Sequence, residues 1–187
     1  MIDLRQIVIK CKAYDKKAQK ELYDIYSPVL YGICLRYGKS EDEAEDILQE
    51  SFIKILTKIN DFKDSGSFEG WMKKIVVNTA ISHYHKNKKY NDSYSIDNVN
   101  EGDTGSYVWG NEDFTREELM NVIESLPEGY RVIFNLYAIE GYKHKEIAEI
   151  LNISHNTSKS QYLRAKEKIR EKLEAISKIK IQNVKSR

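Results

Sequence analysis

Apolar positions recur every three or four residues along most of this chain, the spacing that gives a helix one buried face. Over residues 15–37 the series Leu22, Ile25, Tyr26, Val29, Leu30, Ile33 and Cys34 predicts a long amphipathic helix, with Pro28 as a place where it can kink. A second series, Ala44, Leu48, Phe52, Ile55, Leu56 and Ile59, predicts the next helix. Ser40 and Glu43 precede it in capping-box order, the serine accepting an orphan N–H and the glutamate reaching back. Residues 60–66 read as a loop, and Ser67 caps a further helix running to about Lys86.

The periodicity then stops. From residue 90 to residue 111 Asn, Asp, Ser and Gly dominate, which predicts a flexible or extended linker. Helical patterning resumes near Asp113, and Pro127 suits the first turn of a following helix. Strand alternation and internal repeats are both missing. The expectation is an all-α protein of two small helical domains joined by a flexible linker. A first domain spans 1–89, an acidic linker 90–112, and a helix-turn-helix domain 113–187.

Composition narrows the class. Charged residues make up 32% and apolar residues 41%, in the range of a globular protein. No run of about eighteen apolar residues suggests a membrane span, and the acid-bearing N-terminus does not read as a signal peptide. The expectation is a cytoplasmic protein. Cys11 and Cys34, the only two cysteines, are too few for a disulfide framework and read as buried free thiols. The net charge of +1 hides separated patches. Acids crowd residues 41–50, bases crowd 73–89 and 159–172, and 90–115 holds no Lys or Arg. Such separation suits more than one kind of partner.

The most specific local signal covers residues 142–173. Residues 143–151 predict a short helix with Ile147, small Ala148 and Leu151 on one face. Asn152 can take the left-handed conformation that ends such a helix. Ile153 plugs the corner, and Ser154 caps a second helix that turns Ser158, Tyr162, Ala165, Ile169 and Leu173 inward. This is a helix-turn-helix. Its second helix presents His155, Asn156, Thr157, Lys159, Ser160, Gln161 and Arg164 outward, where polar side chains can reach base edges and cations can neutralise phosphates.

In the first half, DILQESF (46–52) places acids and an amide opposite the apolar stripe, a face that could dock a basic partner or simply be solvated. SFEGWMKKIVVNTAISHY (67–84) joins aromatics to a basic helix. Rings beside cations suit unstacked bases. Phe68 and Trp71 also sit at the spacing of core residues, and that reading is favoured for each.

Taken in order, Ala18-Leu22-Tyr26, DILQESF, SFEGWMKKIVVNTAISHY, the linker, SLPEGYRVIFNLYAIEGYKHKEIAEILNIS and TSKSQYLRAKEKI resemble an extracytoplasmic-function sigma factor over about residues 15–175. This is the compact branch of the bacterial sigma-70 family. The resemblance implies a transcription initiation factor, not an enzyme, that binds core RNA polymerase through the β′ clamp helices and the β subunit. Asp46, Gln49, Glu50 and Lys54 would face the clamp helices. Asn60, Phe62, Lys63, Lys74, Asn78 and His83 would meet the opened −10 strand, and the helix-turn-helix residues named above would read the −35 element. The linker would thread toward the RNA path, and an anti-sigma protein is implied as a further partner. No cofactor or metal is expected.

Ser158, Gln161 and Leu163 depart from the family's usual Val, Arg and His, so base identity does not transfer. Lys143 and Asn152 replace the usual Ser or Thr cap and the turn Gly. A free-standing regulator would need a dimer face or sensor pocket, and the first half offers none that is evident. An adaptor binding only proteins leaves the basic helix unexplained. An enzyme has little support: His83 and His85, two apart, point to different helix faces, and no HExxH, P-loop or dinucleotide pattern is present.

Overall fold

Every helix start in this chain answers a local question: what satisfies the first unpaired N–H groups. Asp15 does so for the long second helix, its carboxylate accepting from the N–H of Lys17 at 2.8 Å and of Ala18 at 3.0 Å. The structure, a computed structural model, describes residues 4–63, 66–90 and 114–185. The described residues are helical, without strands. They divide into two compact units, 1–92 and 93–187. That division falls inside the predicted linker, residues 90–112, of which residues 91–112 lie outside the described residues.

The first unit holds α1 (Leu4–Lys12), α2 (Lys16–Tyr37), α3 (Glu41–Lys58), a 3-10 turn (Ile59–Asp61) and α4 (Phe68–Tyr90). Helices α2, α3 and α4 pack pairwise, and α1 packs on α2 and on the 3-10 turn. Leu22, Leu30, Ile55, Met72 and Val76, from these three helices, are without solvent contact. Pro28 lies within α2 on its exposed side. The buried stripe of α2 is narrower than the apolar spacing predicts, because Val29 is half-exposed. Ser40 caps α3 as expected, accepting from Glu43 N–H at 3.2 Å. The Glu43 carboxylate reaches back one residue further, to the N–H of Lys39 at 2.7 Å. Ser67 receives the N–H of Gly70 at 3.1 Å, and α4 runs four residues past the predicted Lys86.

Cys11 and Cys34 are buried free thiols. Burial pushes both up in pKa, Cys34 to about 12. No helix of the described residues is long and apolar enough to cross a membrane.

The second unit holds α5 (Arg116–Glu124), α6 (Glu128–Phe134), a π turn (Asn135–Ile139), α7 (His144–Leu151) and α8 (His155–Lys185). Thr115 and Glu118 form a reciprocal capping box at the start of α5. Pro127 stands one residue earlier than expected, at the N-cap of α6, with no side-chain hydrogen bond to offer. Val122, Leu126, Ala165, Ile169 and Leu173 build one core, with Phe114, Tyr130 and Phe134 packed against it. Gly141, at φ 78°, turns the chain from the π turn towards α7, a conformation that favours glycine.

Candidate functional site

Three clusters of polar and aromatic side chains stand out from this scaffold. The first is the corner between α7 and α8. Asn152 ends α7 in the left-handed conformation, φ 52° and ψ 52°, which frees the N–H of Ile153 to bond the Ala148 carbonyl at 3.0 Å. Ser154 then accepts from Thr157 N–H at 2.9 Å and starts α8. Thr157 is partly enclosed, its hydroxyl 2.8 Å from that of Ser154, so it serves the cap. His155, Asn156 and Lys159 are exposed on the first turns of α8. Ser160, Gln161 and Arg164 are half-buried on the flank. Ser160 donates to the carbonyl of Thr157, and Arg164 donates to the Tyr130 hydroxyl at 3.3 Å.

Ser158 is fully buried, and its hydroxyl shares a 3.0 Å hydrogen bond with His144 Nδ1. A hydroxyl inside a core needs such a partner. The pair ties the two motif helices together. Tyr137, carried by the π turn, stacks on the His144 ring at 4.2 Å, and Tyr162 meets both rings. Burial holds the His144 pKa below its ordinary value, and the neighbouring His155 and Lys159 add to that. Sequence reasoning missed this aromatic stack. Its one legible trace was Ser158 at an inward position, since a buried hydroxyl demands an acceptor or donor nearby.

The second cluster surrounds the 3-10 turn and the start of α4. Asp61, Phe62, Lys63, Ser67, Gly70, Trp71 and Lys74 line an open cleft of about 360 Å³. Three rings support its floor: Phe62 lies 5.0 Å from Phe68, and Trp71 lies 5.6 Å from each. Phe62 and Phe68 are buried, whereas Trp71 keeps part of its surface open. The core reading of Phe68 therefore holds, and Trp71 is the ring a guest could touch. Phe62, expected to meet a strand, lines the cleft with 8% of its surface exposed. Lys63 and Lys74 bring positive charge to the cleft, and the Asp61 carboxylate stands two residues before Lys63. Asn60 and Asn78 are exposed but do not line it.

The third cluster joins α3 to α4. Glu50 accepts from Lys54 at 2.7 Å and from His83 at 2.8 Å, with Lys86 at 3.9 Å. Lys54 also donates to the Thr79 hydroxyl at 3.2 Å. The hydrogen bond from Lys54, then that from His83, pulls the Glu50 carboxyl down to a pKa of about 2. His83, expected to meet the −10 strand, is thus paired in the free chain with Glu50, an expected polymerase-docking residue. Asp46 and Gln49 are exposed on α3. Gln49 borders a groove of about 400 Å³ whose other walls include Tyr23, Ser27, Tyr31 and Glu45, none of them singled out from the sequence. Periodicity reports one face of one helix, and this groove needs two. Among the described residues no group of three metal-ligating side chains converges.

Comparison with known proteins follows the same division. Residues 22–90 match Sigma-70 region 2, and residues 116–169 match Sigma-70 region 4. The chain is 31% identical to the ECF RNA polymerase sigma factor SigW of Bacillus subtilis, over 91% of this chain and 96% of that one. It is 32% identical to the RNA polymerase sigma factor SigV of the same organism, over 72% of this chain and 78% of that one. It is 28% identical to the ECF RNA polymerase sigma-E factor of Haemophilus influenzae, over 91% and 95%. Among solved structures, the sigma factor RpoE in complex with the anti-sigma factor NepR from Bartonella quintana is 21% identical, covers 83% of this chain and 96% of that one, and has a TM-score of 0.49.

Proposed function

Because this chain belongs to the extracytoplasmic-function branch of the sigma-70 family, we propose that its two helical units divide a promoter between them, the cleft of the first taking the opened −10 strand and α8 of the second reading the −35 duplex. As a sigma factor it binds core RNA polymerase and promoter DNA, directs transcription initiation and catalyses no reaction. The observation that carries the assignment of residues is the α7–α8 corner. A capped helix presents His155, Asn156 and Lys159 from its first turns, the part of a recognition helix that enters a major groove.

Within α8, Lys159 neutralises phosphate and Gln161 reads a base edge, as glutamine pairs with adenine through two hydrogen bonds. His155, Asn156 and Ser160 flank them, Thr157 holds the cap, and Arg164 reaches the backbone only by leaving Tyr130. In the cleft, Trp71 stacks a base while Lys63 and Lys74 hold its phosphates, with Asn60 and Asn78 alongside. Stacking returns roughly 1–3 kcal/mol per base, against a few kcal/mol to unstack one. Opening is therefore nearly balanced, and small changes at the cleft decide it.

Asp46 and Gln49 form the docking face for the β′ clamp helices, and the second unit meets the β subunit. Glu50 and Lys54 shape that face from behind, already bonded to α4. The protein works in the cytoplasm, where polymerase is, and an anti-sigma protein is a further partner that would compete for the same docking face.

Run-off transcription with bacterial core polymerase on a promoter library tests the reading. Active templates should share two separated elements. Lys159→Ala should weaken binding to all sequences and lower the slope of log affinity against log salt by about 0.9. Gln161→Ala should relax preference at one −35 position alone. Equal loss on every sequence in both variants would refute the assignment of Gln161, and no transcript from any template would refute the whole.

A further inference from the structure

Helix α1 lies before both segments that match the family, yet its last residue touches Phe62, which lines the cleft. Lys12, its last residue, donates from Nζ to the carbonyl oxygen of Phe62 at 2.9 Å. The same ammonium lies 5.9 Å from the centre of the Phe62 ring. Both contacts fall on the residue that leaves the 3-10 turn. Phe62 N–H makes only a long 3.3 Å bond to the Ile59 carbonyl, and its own backbone is extended, φ −71° and ψ 111°. Here the chain turns from α3 towards α4, and the peptide between Phe62 and Lys63 sets where Asp61 and Lys63 point.

We propose that Lys12 is a positioning residue for base capture: by holding the Phe62 carbonyl and covering its ring, it fixes the wall of the cleft that carries Asp61 and Lys63. The inference rests on the cleft being the −10 site. A cation donating to a carbonyl in partly enclosed surroundings makes one of the stronger neutral-acceptor bonds, and a cation over a ring adds to it. Without Lys12 the turn samples several conformations, and ordering it again falls to the DNA. Base capture then loses part of its return, and discrimination among bases narrows because the polar groups no longer hold one arrangement. On the proposed assignment docking belongs to α3 and −35 reading to α8, so neither contact is expected to change.

The test uses the full chain assembled with core polymerase, comparing the wild type with Lys12→Met and Lys12→Arg. Methionine keeps an unbranched apolar stem and removes the charge and the donor. Arginine keeps both. Three quantities are read: association with core enzyme, permanganate reactivity of unpaired thymines in a promoter active with the wild type, and opening across four templates that differ at the captured base. Lys12→Met should lower opening about five- to tenfold, compress the range across the four templates, and leave core association unchanged. Lys12→Arg should restore most of both. Thermal unfolding of each variant separates this outcome from a loss of fold.

Wild-type opening in Lys12→Met, or an equal fall on all four templates that arginine does not repair, overturns the proposal. A parallel fall in core association overturns it too, because Lys12 would then hold the unit together and not the cleft. Trp71→Ala and Lys74→Ala, run beside it, separate the two levels. If they leave opening intact, the cleft is not the −10 site. If they impair opening while Lys12→Met does not, the cleft stands and Lys12 has no part in it.

Discussion

Glu50 gathers three basic side chains around one carboxylate. Its carboxylate accepts from Lys54 and His83, which draws its pKa from 4.5 to about 2. A carboxyl whose folded pKa is depressed binds fewer protons than its unfolded counterpart, so its stabilisation is complete above the unfolded value and disappears as pH falls through the folded one. The window is therefore from about 4.5 down to about 2. About a third of the Glu50 side chain is exposed, 34%, so solvent weakens the pairs and their worth is that of surface ion pairs. Glu50→Gln should cost the first unit about 1 kcal/mol at pH 7 and flatten the acid limb of its stability below pH 4.5. Urea unfolding at pH 7, 5 and 3 measures both, and a mutant deficit that persists undiminished at pH 3 would contradict the account. His144 is shifted for the opposite reason. Its neighbours are rings and cations, so burial favours the neutral imidazole that stacks under Tyr137.

At the level of elements, the turn between α7 and α8 was fully legible and can be tested at one position. Asn152 holds φ 52°, where a side chain costs roughly 1–2 kcal/mol unless it is short and polar or absent. Asn152→Ala should destabilise the second unit by about 1 kcal/mol, whereas Asn152→Gly should leave it unchanged or slightly firmer. Thermal unfolding of the two variants checks this, and equal melting in both would mean that the left-handed turn is not the constraint. The caps Ser40, Ser67 and Ser154 were readable for the same reason, since each acts within three residues of itself. The pairings that shape the sites were not. Glu50 meets His83 across 33 positions and Lys12 meets Phe62 across 50, and no local spacing reports such distances. Phe62 reads both ways in sequence, because an aromatic beside lysines suits a base as well as it suits a core. The packing of Phe62 against Phe68 and Trp71 is visible only in three dimensions. The π turn was hidden too: residues 135–139 keep a helical apolar pattern, and the extra residue per turn shows only in the backbone, where Glu140 N–H bonds the Asn135 carbonyl at 2.9 Å.

For the whole molecule, the physical question is what the covalent link between two units contributes, given that each folds around its own core. A domain that meets DNA mainly through phosphate contacts binds weakly and loses affinity with salt. When one unit is seated on polymerase and promoter, the covalent link keeps the other near at a raised effective concentration. The second contact then forms without a second diffusional search. A protease site placed between residues 93 and 110 tests this, because cleavage there leaves both sets of described helices whole. The cut protein should melt as the intact one does and should lose run-off transcription at nanomolar concentration. Adding the second unit in large excess should restore part of it, as mass action replaces the tether. Doubling the length of segment 91–113 is the finer version. Closing a loop twice as long costs about 0.6 kcal/mol, roughly a threefold fall in apparent affinity. That fall should be seen only on promoters carrying both elements, and not on a template with one. A cut protein that transcribes like the intact chain at nanomolar concentration would mean that the two units do not act on DNA as a pair.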